Sequence, residues 1–143
     1  VKINLIRGQE LTREDARLWS SLQEADAAFA SPYFSAEYTR AVASVRDDVF
    51  VGVLEERGRT VGFFPFQRDA AGNGLPVGGK LSDYQGVVTA RGVRWTAEEL
   101  LGGCGLSRWE FNHLLVSQRP FHQYHARRTS SPAIDLSDGS EAY

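Results

Sequence analysis

The chain opens with strict alternation of polar and apolar positions, KINLIR at 2–7, which predicts a half-buried strand. Thr12 then stands as a helix N-cap, with Asp15 placed to support both the cap and the helix dipole. Leu18, Trp19, Leu22, Ala25 and Phe29 follow a 3.6-residue stripe, so the helix is expected to run until Ser31-Pro32 stops it. Ser35 caps a second helix with Tyr38, Val42 and Val45 on its buried face. Residues 48–55 (DVFVGVLE) are apolar on both faces, the pattern of a central strand covered on two sides. Arg57-Gly58-Arg59 turns the chain and 60–67 returns as a strand. Pro65 has no N–H for a ladder, so one flank of that strand is an edge or a bulge.

The later pattern is more broken. Asn73-Gly74 reads as a hairpin turn with two positive φ angles. A short strand is expected at 85–89. Thr96 to Glu99 forms a capping box that starts a short helix, which Gly102-Gly103 stops. Residues 107–115 (SRWEFNHLL) alternate, placing Trp109, Phe111 and His113 on one face. Two closing strands are expected around 123–128 and 132–136. The order β-α-α-β-β-β-α-β-β predicts an α+β fold with a mixed, mostly antiparallel sheet flanked by helices. No repeat or long linker interrupts it, so 1–143 reads as a single domain.

Composition narrows the function classes. The chain has 143 residues, 42% hydrophobic and 24% charged, with a net charge of -2. That is ordinary for a globular domain and supplies no global field for nucleic acid or an anionic membrane. A lone cysteine, Cys104, excludes an internal disulfide framework and fits a reducing, cytoplasmic setting. No apolar run approaches the roughly 20 residues that span a bilayer.

The segment TVGFFPFQRDAAGNGLPVGGKLSDYQGVVT at 60–89 resembles the N-terminal part of the CelD-type acetyltransferase-like proteins linked to cellulose biosynthesis. These form a branch of the GNAT superfamily, related in layout to the Fem-type aminoacyl transferases. The strand, long helix and SPYF entry of 4–34, and the tail SPAIDLS at 131–137, extend the likeness over nearly the whole chain but about half of a typical member. The resemblance implies a GNAT-like fold, an N-terminal half of a longer two-half protein, and a cleft shared with a GNAT-like C-terminal partner half. It also implies acyl or aminoacyl transfer to an amine, with acetyl-CoA as the donor in the full-length protein.

A GNAT domain cradles the CoA pyrophosphate on a (Q/R)-x-x-G-x-(G/A) loop that opens a helix, where bare backbone N–H groups meet the anion. Here the corresponding loop is TARGVRW at 89–95. Counted from Arg91 the first glycine falls on Arg94, and counted from Gln85 it falls on Val88, so the pattern fails both ways. No cofactor is therefore expected on this chain alone, although Arg91 and Arg94 remain candidate anion contacts.

Asp83, Tyr84 and Gln85 are the leading substrate-binding candidates: a carboxylate, a phenol and an amide at a loop-to-strand junction can orient a polar substrate. The competing reading is a locally capped loop. His113 reads either as a satisfied, partly buried histidine or as a base near neutral pH. His122 and His125 with Arg119, Arg127 and Arg128 form the concentrated basic segment, and Arg127 and Arg128 are candidate anion contacts. The ligand spacing of a metal site is missing, and Cys104 reads as a buried filler. No residue is assigned as catalytic. A non-catalytic reading stands beside the transferase: an interaction module of polysaccharide machinery, or a homodimer through an exposed strand edge or apolar patch.

Overall fold

The computed structural model describes residues 1–130. Within them the chain is an α+β fold, an open and mostly antiparallel sheet flanked by helices. β1 (Lys2–Arg7) is the predicted alternating strand. In α1 (Arg13–Glu24) the Asp15 N–H donates to Thr12 Oγ1 at 3.0 Å and the Thr12 N–H donates to Asp15 Oδ2 at 3.0 Å, closing the cap reciprocally.

α1 ends at Glu24 and does not continue to Phe29. The Asp26 carboxylate accepts from the Ala28 N–H at 3.1 Å and starts a separate 3-10 turn, Ala27–Phe29, which still delivers Phe29 to the core. Ser35 caps α2 (Ala36–Ala43), accepting from the Tyr38 N–H at 3.1 Å. The side chains that α2 buries fully are Ala36, Thr39 and Ala43, with Tyr38 and Val42 half-buried. Val45, expected on that face, lies past the helix end and is 80% exposed.

β2 (Val49–Glu56) and β3 (Arg59–Arg68) form a hairpin across Arg57-Gly58, whose φ angles are 51° and 74°. β2 lies between β1 and β3, antiparallel to both. On one face Val51, Val53 and Phe63 pack with Trp19, Phe29 and Phe34. On the other, Leu54, Phe64 and Phe66 pack with Leu100, Cys104, Trp109 and Phe121. Apolar positions on both faces of 48–55 thus have a physical counterpart in two separate cores.

Beyond β3 the sheet is discontinuous. β5 (Val88–Thr89) pairs with Gly62 and Phe63, whereas β4 (Asn73–Leu75) pairs with Gln67 and Arg68. Pro65 falls in the gap between these neighbours, where no N–H is needed. A parallel pairing of β4 with β6 (Arg108–Trp109) makes the sheet mixed, in the order β1-β2-β3-β4-β6.

Several local expectations shift. Asn73-Gly74 belongs to β4 and not to a turn. The turn lies before it, with Gly72 at φ 82° and Asp69 accepting from the Ala71 and Asn73 N–H groups at 2.9 and 2.8 Å. Asp69 organises the loop through its side chain, so the Asn-Gly signal is overridden. α3 (Ala97–Gly103) includes Gly102 and Gly103, and the positive φ that ends it is at Gly105, 63°.

The strand at 107–115 shrinks to Arg108–Trp109 plus an isolated parallel bridge between Gln85 and Leu114, and 85–89 likewise keeps only Val88–Thr89 as strand. Arg119–Tyr124 is a 3-10 helix, so the strand expected around 123–128 does not form; Pro120 near its start fits a helical turn better than a ladder. The strand expected at 132–136 lies outside the described residues.

Candidate functional site

The polar loop at 82–86 and the segment 111–118 are joined mainly by two buried glutamine side chains. Gln85 Nε2 donates to the Ser82 carbonyl at 3.1 Å and to Asn112 Oδ1 at 2.6 Å. Its Oε1 accepts from the Asn112 N–H at 3.0 Å and the His113 N–H at 3.3 Å. Backbone bonds frame the same contact, Gln85 N–H to His113 O at 3.0 Å and Leu115 N–H to Gln85 O at 3.3 Å. Gln118 imitates a peptide opposite Val87, accepting from its N–H at 2.9 Å and donating to its carbonyl at 3.1 Å. Gly86 lets that amide lie close, since a Cβ there would stand 3.0 Å from Gln118 Cδ.

A cleft of about 550 Å³ opens beside this junction. Asp83, Tyr84, His113, Arg127 and Arg128 all line it, together with His125. Five of the eight candidate residues therefore share one concavity although they come from segments about 30 to 45 positions apart. Its charged groups are two guanidinium ions against one carboxylate, which favours an anionic ligand.

Gln85 lies behind the wall and is not among the lining residues; its amide is engaged by the chain itself, so it supports the site without facing a ligand. Arg91 and Arg94 do not line the cleft either. Arg91 stands 3.9 Å from the half-buried Asp26, and Arg91 and Arg94 are both exposed elsewhere.

Three imidazoles are held differently. His113 is exposed, not partly buried as a structural histidine would be, and its Nδ1 lies 3.4 Å from the Ser82 carbonyl. His122 Nε2 lies 2.7 Å from the Val116 carbonyl. His125 is half-buried, packs near the rings of His122 and Phe111, and has Nε2 buried without a partner among the described residues. Burial, followed by the nearby His122 and Arg128, holds His125 below the usual histidine range.

The residues at α3 do not fit a pyrophosphate. The Thr96 N–H donates to Glu99 Oε2 at 3.0 Å and the Glu99 N–H to Thr96 Oγ1 at 3.1 Å, so the chain caps itself with a carboxylate where an anion would sit. Trp95 is folded against Phe121 with ring centroids 5.3 Å apart. Cys104 is fully buried and its thiol is pushed up to about 12 by burial, opposed only weakly by Arg68. Among the described residues, His, Cys, Asp and Glu side chains do not gather in groups of three that could hold a metal ion, and no helix is long and apolar enough to cross a membrane.

Asn112 and Gln118 were not singled out as site-forming from the sequence. An amide in a polar stretch carries no distinguishing pattern, and their partners lie up to 31 positions away. No known protein family, curated protein or solved structure matches the chain.

Proposed function

We propose that the cleft lined by Asp83, Tyr84, His113, Arg127 and Arg128 is the acceptor-binding wall of a GNAT-like acyl or aminoacyl transferase, working with an adjoining GNAT-like half. The observation that carries this reading is the convergence of those five side chains on one 550 Å³ concavity. That volume suits a small polar molecule. Paired arginines supply recognition of an anionic group, and Asp83, Tyr84 and His113 supply hydrogen-bonding groups for an amine or hydroxyl.

An acyl-CoA donor would be held by the adjoining half, because α3 here is self-capped; no step through it is assigned to this chain. Val116 and Tyr124, 53% and 50% exposed on the 111–130 segment, offer apolar surface for that half to cover. The cellulose or exopolysaccharide setting follows from the resemblance at 60–89.

The test is a backbone NMR titration with glucosamine 6-phosphate, glucose 6-phosphate and cellotriose. Anionic acceptors are expected to move the signals of Asp83, Tyr84, His113 and Arg127, and Arg127→Ala with Arg128→Ala is expected to abolish the response. Shifts confined to the second groove, lined by Leu101, Trp109, Phe121 and Tyr124, or no shifts at millimolar ligand, would overturn the assignment. A non-catalytic interaction module would instead show self-association without any small-molecule response.

A further inference from the structure

His113 is exposed, yet three contacts fix it. Its backbone N–H donates to Gln85 Oε1 at 3.3 Å, its carbonyl accepts from the Gln85 N–H at 3.0 Å, and its ring Nδ1 meets the Ser82 carbonyl at 3.4 Å. A carbonyl oxygen only accepts, so the ring nitrogen facing it must carry the proton. In the neutral imidazole this leaves Nε2 with its lone pair, on a ring that lines the cleft. Nε2 makes no hydrogen bond within the described residues. His122 shows the opposite arrangement: its Nε2 faces the Val116 carbonyl at 2.7 Å and so carries the proton there.

We infer that His113 is held as the Nδ1–H tautomer so that Nε2 serves the cleft as the hydrogen-bond acceptor for an amine or hydroxyl of the bound ligand. The ligand class follows from the two arginines that line the same cleft: an amino or hydroxy compound bearing a phosphate or carboxylate, its anionic end at Arg127 and Arg128. This deepens the acceptor-binding reading and rests on it. Gln85 is the positioning residue, since its side chain and backbone clamp both sides of the His113 peptide. The titratable and charged groups that line the cleft with His113 are Asp83, Tyr84, His125, Arg127 and Arg128.

The experiment is long-range nitrogen–proton correlation NMR on uniformly labelled protein above pH ~8, where imidazoles are neutral. Nδ1–H is expected for His113 and Nε2–H for His122, so the molecule carries its own control. Gln85→Leu should release His113 into mixed tautomers, and an unchanged His122 pattern would show that the segment still folds. Nε2–H at His113 in the wild-type chain overturns the inference whatever the cleft binds.

The ligand arm uses glucosamine 6-phosphate. His113→Phe should bind it about tenfold more weakly than wild type, and equal affinity overturns the acceptor role. If wild type does not bind this probe while the Nδ1–H tautomer is present, the acceptor-binding reading falls and takes the ligand half of the inference with it; a wrong tautomer with intact binding removes the inference alone.

Discussion

The Cys104 thiol lies against the backbone of Gly52, where an added Cβ would stand 2.6 Å from Sγ, and burial raises it to about 12. At pH 8 its thiolate fraction is thus about a thousandfold below that of an exposed cysteine. Native protein is expected to resist iodoacetamide and to react fully in guanidinium, followed by intact mass; fast native labelling would contradict the packing. The sequence already pointed to a buried filler, because Cys104 follows two glycines at a helix end with no histidine close in sequence to activate the thiol. Trp19 was equally legible as core from its helical spacing, but its polar contact was not. Nε1 donates to the Phe34 carbonyl at 2.7 Å beneath a ring stacked on Phe63 at 4.7 Å. Trp19→Phe keeps most of the apolar volume and strands that carbonyl, so a loss of about 1–3 kcal/mol is expected in urea unfolding. Gln85, by contrast, was expected to face substrate. Its amide instead closes four hydrogen bonds inside the wall, a role invisible without knowing that Asn112 and His113 fold beside it.

Neighbouring glycines in α3 separate local preference from packing. Gly102 has nothing within 4 Å of where a Cβ would point, while at Gly103 that atom would meet Ile3 of β1, with Cγ1 at 2.7 Å. Gly102→Ala is expected to raise stability by about 0.5–1 kcal/mol through helix propensity. Gly103→Ala should lower it by about 1–3 kcal/mol, because the overlap involves atoms near the Ile3 backbone that cannot rotate away. Paired thermal melts decide this, and equal shifts would mean that α3 does not rest on β1. The pair looked alike in sequence, and both read as a helix stop.

Elements with strong periodicity or reciprocal caps, such as β1, α1, β2 and α3, were visible in the pattern. The 107–130 stretch was not, since its alternation belongs to a segment held by side chains and not by a continuous ladder. Trp109 and Phe111 alternate as a strand would, yet the ladder with β4 stops at Trp109.

For the molecule as a whole, the C-terminal segment and the sheet are expected to respond to acid in different windows. The His125 folded value lies below its unfolded one of about 6.5. The stability tied to its neutral form is therefore complete above that unfolded value and is lost as pH falls through the folded one. Asp48 is held low first by its hydrogen bond from Arg46, and then by Gln67. Its contribution is present above about pH 3.9 and disappears only as pH falls through its lower folded value. Hydrogen exchange should consequently show 119–130 losing protection as pH falls below about 6.5 with β2 and β3 still protected, and His125→Gln should remove that early step. Simultaneous loss of both regions would show that they unfold as one unit.

The outer edge of β1, unpaired among the described residues, bears on assembly too. Antiparallel self-pairing of β1 about its centre would set Lys2 opposite Arg7, a like-charge contact that disfavours a dimer through this edge. Such assembly-level features follow from the register and could not be read from the KINLIR pattern alone.

The glutamine amide opposite Val87 gives this architecture a chemical weak point. Hydrolysis of Gln118 to glutamate exchanges a single NH₂ for an oxygen and barely alters shape, yet it replaces a donor with a negative acceptor facing the Val87 carbonyl in a site only 6% exposed. Two acceptors would then oppose each other without water to separate them. One slow deamidation event could thus unfasten the wall of the cleft while leaving the central hairpin untouched, ageing the binding surface before the fold.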